Sequence, residues 1–243
     1  MGRVENDLTK ASRPAVIITG PRTGGTLLTH ALSNHPFIGC VRGEPLHALS
    51  TWRMNLYGVE PVKILQICTS LEGYLISMCK VAYEQAWYRG VWEYLIKAKI
   101  PILHLTRQDV LAQTVSFLLN KLARDGTITH PQHSFQAVAP VKVELSPDAV
   151  VRHYAWIVRK RNQVWDKIKH SGCPVLQLTY EQITGGIEET QTLNADATRQ
   201  ICKFLGVSMA SLPISLKRVN RRLEDEITNW GAVKGAVEKW QRK

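Results

Sequence analysis

A glycine-rich segment follows the first apolar run of this chain and has the residue types of an anion-binding loop. Its residues are Thr19, Gly20, Pro21, Arg22, Thr23, Gly24, Gly25, Thr26 and Leu27. Glycines allow backbone N–H groups to converge on an anion, and the N-terminus of a following helix adds positive potential. The threonine hydroxyls and the Arg22 guanidinium are further donors. The segment therefore predicts a site for a phosphate or a similar anion, and a tight turn that binds nothing is the alternative.

The loop differs from the phosphate loop of nucleotide triphosphatases. Gly20 and Gly25 have the spacing of the Walker A pattern, but Thr26 stands at its lysine position and Leu27 at its Ser/Thr position. Triphosphate cleavage needs that lysine on the β- and γ-phosphates and that hydroxyl on Mg²⁺. The loop is therefore suited to holding a phosphate-like group and poorly equipped to cut a β–γ bond.

A second candidate anion contact follows a later apolar run. Arg107 stands directly after that run and just before a helical pattern, where its planar guanidinium suits a phosphate. Ser116 lies more than two turns along the same pattern, within reach of the same group. An ion pair between Arg107 and Asp109, and a bond from Ser116 to its own helix, are the alternatives.

The elements that must position these residues follow from hydrophobic patterning. Short apolar runs bounded by Pro and Gly predict strands at 15–18, 37–41, 102–105 and 175–178. Apolar residues at helical spacing predict helices at 26–33, 109–122 and 147 to about 171, the last with Ser146 as its cap. This alternation predicts an α/β fold, with a parallel sheet flanked by helices and ligands bound beyond the carboxyl ends of the strands.

Composition limits the class of protein. The chain has 243 residues, 44% of them apolar and 21% charged, which is typical of a globular protein. We expect a single domain over 1–243, with 1–13 as a flexible N-terminal segment. No apolar run is long enough to span a membrane, and the N-terminus lacks the apolar core of a secretory signal, so a cytoplasmic location is expected. The five cysteines are odd in number and lack metal-ligand spacing, so we expect reduced thiols and no metal.

The charge balance indicates the kind of partner. Lys and Arg number 31 against 20 Asp and Glu, a formal net charge of 31 − 20 = +11. Such a balance favours nucleic acid, an anionic membrane surface, or a phosphorylated or sulfated small molecule. Charge alone does not choose among these, and the oligomeric state is not predicted.

The segment from Pro21 to Leu28 resembles the P-[RK]-[ST]-G-[ST]-[ST]-x-L loop of sulfotransferases that use 3′-phosphoadenosine 5′-phosphosulfate, with a departure at Gly25. Arg107 followed by Ser116 is similar to the motif with which that family binds the 3′-phosphate. Weaker similarities follow in the family's order up to about residue 230. The resemblance implies a P-loop-like sulfotransferase fold, this donor with adenosine 3′,5′-bisphosphate as its product, and no metal. The donor contacts that it implies are Pro21, Arg22, Thr23, Gly24, Gly25, Thr26, Leu27, Arg107, Ser116, Arg221 and Arg222.

Removal of the acceptor proton needs a base, and Glu44 is the first candidate. Pro45 favours an extended backbone at Glu44, just past the second predicted strand. Carbohydrate and tyrosyl-protein sulfotransferases carry a similar glutamate, so the resemblance implies that Glu44 is the general base and that Arg22 stabilises the leaving phosphate. An ion pair of Glu44 with Arg22 or Arg42 is the alternative. His47 is the second candidate; His104 and His35 are weaker ones, at positions typical of a core histidine and a helix cap.

The sequence thus predicts a bacterial-type sulfotransferase of the carbohydrate or lipopolysaccharide kind. Its acceptor is expected to be a hydroxyl of a carbohydrate, glycolipid or small natural product, held by residues 48–100 and by a long loop, a candidate lid, over 124–150. A P-loop small-molecule kinase is the alternative enzyme, disfavoured by the missing lysine. A basic, non-catalytic nucleic-acid-binding domain would explain the charge but not the glycine-rich loop and Arg107, so nucleic acid is not the expected partner.

Overall fold

A computed structural model describes residues 11–47, 60–128, 142–185, 191–214 and 223–242. Its strands form one parallel sheet in the order β2-β3-β1-β4-β5. The strands are β1 (Arg13–Thr19), β2 (Ile38–Cys40), β3 (Ile76–Ala82), β4 (Ile102–Thr106) and β5 (Val175–Thr179). The helices are α1 (Gly25–Leu32), α2 (Pro61–Cys68), α3 (Val91–Lys97), α4 (Val110–Arg124), α5 (Pro147–Lys169), α6 (Tyr180–Thr184), α7 (Ala195–Leu205), α8 (Leu223–Glu226) and α9 (Trp230–Gln241), with a 3₁₀ turn at Gln85–Trp87.

The predicted α/β class is confirmed, and each of the four predicted strands is present. The sequence reasoning missed β3, which lies between β1 and β2 near the middle of the sheet. Ser77 and Lys80 interrupt the apolar run of β3, yet both side chains are buried. Because buried parallel strands are expected to be nearly all apolar, a run that contains two polar residues did not indicate a strand.

The core lies on both faces of the sheet. Successive side chains of a strand point to opposite faces. Accordingly Ala15 and Ile17 of β1 pack in one apolar cluster with α1 and α7. Val16 and Ile18 pack in another, against α2, α3 and the C-terminal half of α5. A third cluster joins α4, α5 and α9. The two-sided burial fixes β1 in the sheet and so fixes where the glycine-rich loop begins.

Side chains define the starts of the two long helices. The Asp109 carboxylate accepts the Ala112 N–H at the start of α4, and the Ser146 hydroxyl accepts the Ala149 N–H at the start of α5. Pro147 occupies the first turn of α5, where a missing N–H costs nothing. The predicted cap of α5 is therefore confirmed, and the cap of α4 fixes its first turn directly after Arg107.

The predicted terminal segment and long loop overlap only partly with what the structure describes. β1 begins at Arg13, so the last residue of the expected N-terminal segment belongs to the sheet. In the expected lid, α4 continues to Arg124 and Val143 forms a bridge with Ile227. Residues 129–141, on which the lid prediction depends, lie outside the described residues. Among the helices that are described, none has the length and apolar character needed to cross a bilayer. All five cysteines are free thiols.

Candidate active site

The glycine-rich loop connects β1 to α1 and has two residues in the left-handed backbone region. Gly24 has φ 85° at the N-cap of α1, and Arg22 has φ 59°. A non-glycine residue in this region is uncommon and costs energy that its surroundings must offset. Gly24 has no side chain to cap the first turn of α1, and a Cβ there would lie 2.5 Å from the Tyr180 ring. The first-turn N–H groups of α1 are therefore not satisfied by a capping side chain, as an anion site requires.

Arg22, Arg107 and Ser116 come together although they are far apart in sequence. Arg22 Nε donates to Ser116 Oγ at 2.9 Å, across 94 residues of chain. Arg107 Nη1 donates to the Arg22 carbonyl at 3.4 Å, and its guanidinium lies 4.9 Å from the centre of the Tyr180 ring. Burial first, and then the charge of Arg107, lower the pKa of Arg22. Two neighbouring guanidinium groups in a partly buried position are stabilised by an anion between them.

Asp109, Glu181 and Ser116 make specific contacts around the start of α4. The Asp109 carboxylate accepts the Ala112 N–H at 2.8 Å and so caps α4. The Glu181 carboxylate accepts the N–H groups of Gln108 and Asp109 at 3.0–3.3 Å, directly before the first turn of α4. Ser116 accepts a hydrogen bond from Arg22 at the loop.

The other predicted loop residues have distinct environments. The buried Thr23 hydroxyl contacts the Thr19 hydroxyl and donates to the Gly20 carbonyl at 3.0 Å, so it serves the loop itself. The Thr26 hydroxyl accepts from Lys80 Nζ at 3.1 Å. Leu27 packs against the apolar core. The carbonyl of Pro21 accepts from Gln113 Nε2 at 2.7 Å.

Lys80 is the functional candidate that sequence reasoning missed. It lies on β3, its side chain is only 5% exposed, and its ammonium group is 3.1 Å from Glu44 Oε1 as well as from Thr26 Oγ1. A lysine inside an otherwise apolar strand was the available signal, because a buried lysine is rare unless it is paired. The chain thus supplies from β3 a cation at the loop position where Walker A loops have their own lysine.

Lys80 also accounts for the departure of the loop at Gly25. A Cβ at Gly25 would lie 2.8 Å from Lys80 Cδ and 2.9 Å from Thr19 Cγ2, both closer than real Cβ contacts allow. The serine or threonine that the motif has at this position therefore does not fit beside the Lys80 side chain. Because Gly25 has no Cβ, the Lys80 side chain can fill the space beside the loop.

Glu44 lies at the end of the sheet, as expected, but its ion pair is with neither predicted arginine. Arg22 bonds Ser116, and Arg42 Nε donates to Ser33 Oγ at 2.9 Å. The partner is Lys80, while Glu44 Oε2 is 3.5 Å from the Gln85 amide. The carboxylate is 33% exposed, so one side of it faces solvent.

The histidine candidates fall into two groups. His47 is 75% exposed, and its Nδ1 lies 4.0 Å from Glu44 Oε2. His35 is buried and bonds the Ser208 carbonyl and the Phe37 N–H, which is a structural role. His104 is buried in β4, with Nε2 3.0 Å from the Tyr83 hydroxyl and its ring stacked on Trp165. Burial first, then Arg161, lowers the pKa of His104 to about 4, so it is neutral near pH 7. Of these histidines, only His47 lies beside Glu44.

Two parts of the predicted site lie outside the described residues. They are the late basic residues Arg221 and Arg222, and the start of the expected acceptor region at 48–59. Their predicted contacts stay predictions.

Comparison with known proteins identifies the fold. No protein-family model matches the chain, and no curated protein matches it. A sulfotransferase from Alicyclobacillus acidocaldarius superposes with a TM-score of 0.53 at 18% identity, over 96% of this chain and 100% of that chain. Mouse sulfotransferase SULT7A1 complexed with PAP gives 0.44 at 11% identity, over 93% of this chain and 63% of that one. A sulfotransferase domain from the curacin biosynthetic pathway superposes with a TM-score of 0.46 at 13% identity, over 82% of this chain and 76% of that chain. The chain has the fold of the Alicyclobacillus sulfotransferase, so the predicted fold class is confirmed.

Proposed function

We propose that this protein is a sulfotransferase that moves a sulfuryl group from 3′-phosphoadenosine 5′-phosphosulfate to a hydroxyl group of an acceptor. The observation that carries the proposal is the convergence of Arg22, Arg107 and Ser116 beside the uncapped N-terminus of α1. This arrangement offers donors for two separate anionic groups, one at the loop and one at the start of α4. A 3′,5′-bisphosphorylated nucleoside carries two such groups, whereas a single phosphate would use only half of the donors.

The proposed donor contacts divide between these two positions. The N–H groups of the loop and of the first turn of α1 would hold the 5′-phosphosulfate, with Lys80 alongside. Arg107 and Ser116 would hold the 3′-phosphate. The Arg22 guanidinium bonds Ser116, which favours a role near the 3′-phosphate over the expected one at the leaving phosphate. Lys80, against Thr26, is better located for the leaving oxygen. Arg221 and Arg222 stay predicted contacts.

The proposed chemistry is an in-line transfer. The acceptor oxygen bonds to sulfur as the bond from sulfur to the bridging phosphate oxygen breaks, and that oxygen keeps the electron pair. The proton of the acceptor hydroxyl passes to Glu44, the proposed general base. Loop N–H groups and Lys80 stabilise the charge that develops on the leaving phosphate. Lys80 also pairs with the Glu44 carboxylate, with its ammonium group 3.1 Å from Glu44 Oε1.

A P-loop small-molecule kinase is the second candidate function. Lys80 favours it, because this residue supplies an ammonium group that the loop itself lacks. Leu27 counts against it, because it stands where such loops have a hydroxyl for Mg²⁺ and packs against the core instead.

The acceptor we propose is a carbohydrate, glycolipid or small natural-product hydroxyl, in keeping with the resemblance at Glu44. The single-domain organisation and the cytoplasmic location stay predictions.

Thermal unfolding of the protein with separate ligands tests the proposal. The ligands are adenosine 3′,5′-bisphosphate, ATP with Mg²⁺, and a mixed-sequence oligonucleotide. A ligand at 100 times its Kd adds about 2.7 kcal/mol, which for a chain of this size is a rise in Tm of roughly 5–10 °C. We expect that rise with the bisphosphate. A larger rise with ATP and Mg²⁺ would favour the kinase, and a rise with the oligonucleotide alone would refute both enzyme functions.

A further inference from the structure

Three successive carbonyl groups of the glycine-rich loop are each held by a side-chain donor. The Gly20 carbonyl accepts from the Thr23 hydroxyl at 3.0 Å. The Pro21 carbonyl accepts from Gln113 Nε2 at 2.7 Å, and the Arg22 carbonyl accepts from Arg107 Nη1 at 3.4 Å. The bond from Gln113 is the shortest of the three, and it joins residues 92 positions apart. The loop is therefore tied to α4 by a specific contact with its backbone.

Gln113 is built into this position. Gln113 lies in the first turns of α4 and is only 2% exposed, and its backbone N–H donates to the backbone carbonyl of Asp109, the cap of that helix. A Cβ at Gly20 would lie 3.3 Å from Gln113 Nε2 and 2.9 Å from the Tyr83 ring. Glycine at 20 therefore lets the amide and the ring close up beneath the loop. A buried amide that donates such a short bond is costly to replace by an apolar group.

The contact determines where the N–H groups of the loop point. In a trans peptide the C=O of one residue and the N–H of the next point in opposite directions. Because the Pro21 carbonyl faces Gln113, the Arg22 N–H faces away from α4. Likewise the Thr23 N–H faces away from Arg107. The Gln113 bond thus holds the peptide plane that precedes Arg22, the residue with φ 59°.

We propose that Gln113 is a positioning residue that fixes the loop in its anion-binding conformation, with the Arg22 N–H turned toward the 5′-phosphate of the donor. Without the bond, the Pro21–Arg22 peptide is free to rotate and release the unfavourable backbone angle of Arg22. A carbonyl oxygen would then face the bound phosphate in place of an N–H group. This inference rests on the proposed function, because it assigns the loop to the 5′-phosphate.

The test compares Gln113→Met with Thr114→Val by calorimetric titration. Methionine keeps the length of the side chain but cannot donate. Thr114 is the next residue of α4, is fully buried, and donates within its own helix to the Val110 carbonyl at 2.7 Å, so its loss controls for damage to α4. The probes are adenosine 3′,5′-bisphosphate and adenosine 3′-monophosphate, which lacks the group that the loop would bind.

We expect Gln113→Met to weaken bisphosphate binding at least tenfold and 3′-monophosphate binding less than threefold. Thr114→Val should change neither by more than twofold. Equal losses for both probes would indicate general damage and overturn the inference, as would bisphosphate binding within twofold of the unaltered protein. If Gln113→Met does not fold, Gln113→Glu, which keeps the shape and replaces the amide donor by a carboxylate, is judged by the same two ratios. Failure of the unaltered protein to bind the bisphosphate would instead refute the proposed function, and the inference with it.

Discussion

Replacement of Glu44 by glutamine separates its proposed role as a base from its role as the partner of Lys80. Glutamine keeps the shape of the side chain but cannot accept a proton at neutral pH. General base catalysis contributes about 10²–10⁴-fold in rate, or roughly 3–5 kcal/mol of transition-state stabilisation. Glu44→Gln should therefore lower turnover by that factor, since the lost interaction exists only in the transition state.

The same substitution also has a predictable effect on stability. It leaves the Lys80 ammonium group, whose side chain is 5% exposed, without its carboxylate. Breaking a fully buried pair costs about 3–5 kcal/mol, and breaking an exposed one costs about 0–1 kcal/mol. The Glu44 side chain is 33% exposed and the Thr26 hydroxyl still accepts from Lys80, so we place the cost near 2 kcal/mol. For a chain of this size that corresponds to a fall in Tm of roughly 4–8 °C.

The assay follows three quantities for each variant: Tm, affinity for adenosine 3′,5′-bisphosphate, and release of that product from the donor with a panel of hydroxylated acceptors. Glu44→Gln should leave bisphosphate affinity within about twofold. Lys80→Met is the matched variant, because it breaks the same ion pair from the other side. It should lower both bisphosphate affinity and turnover, while the partly exposed Glu44 carboxylate is stabilised by water.

One result would refute this reasoning. If Glu44→Gln lowers Tm by the expected amount but keeps turnover within tenfold of the unaltered protein, then Glu44 is only the counter-ion of Lys80. The base would then be sought at His47, which is 4.0 Å from Glu44, through a His47→Asn variant.

Three other substitutions test separate parts of the molecule. Arg107→Ala should weaken bisphosphate binding by about 1.5–3 kcal/mol and weaken a ligand without the 3′-phosphate clearly less, because that ligand loses only the effect of the Arg107 bond to the Arg22 carbonyl; equal losses in titration calorimetry would remove Arg107 from the 3′-phosphate site. Because burial lowers the pKa of His104 to about 4, the unfolded chain takes up a proton at this histidine before the folded chain does as the pH falls. The free energy of unfolding should therefore fall by up to ~3 kcal/mol from pH 6.5 to pH 4. Denaturant unfolding of His104→Phe should show a flatter pH profile. Gly25→Ser should lower stability by about 1–3 kcal/mol through its overlap with Lys80, and a second change of Lys80→Ala should recover part of it; an unchanged Tm for Gly25→Ser would contradict this packing.

Features with a local signature in the sequence were predictable. The glycine-rich loop and Arg107 stand where apolar runs end and helical patterns begin, and parallel strands bring such positions to one edge of the sheet. Arg22 and Arg107 both lie at this edge, where Arg107 Nη1 is 3.4 Å from the Arg22 carbonyl oxygen.

Features that depend on tertiary packing were not predictable in this way. The apolar run of β3 is interrupted by Ser77 and Lys80. Burial of these polar side chains is offset only by their partners elsewhere in the fold. Ser77 bonds Leu71, and Lys80 bonds Thr26 and Glu44. The bond from Gln113 to the loop likewise joins segments 92 residues apart. The apolar residues around Lys80 are a local signal of burial, but they do not show which partners stabilise the buried lysine. Nothing in the local pattern around Gln113 indicates its bond to the loop.

The same contacts explain how a loop without a lysine would stabilise the leaving phosphate of the proposed reaction. Lys80 projects from β3, which is hydrogen-bonded to β1 and β2 on either side, so the backbone that carries this side chain is fixed by the sheet. The cost of that arrangement is space, which Gly25 provides by having no Cβ. Lys80 contacts both Thr26 in the loop and Glu44, the proposed base. It therefore connects the two positions that the proposed reaction needs, where charge develops on the leaving phosphate and where the acceptor proton is taken up.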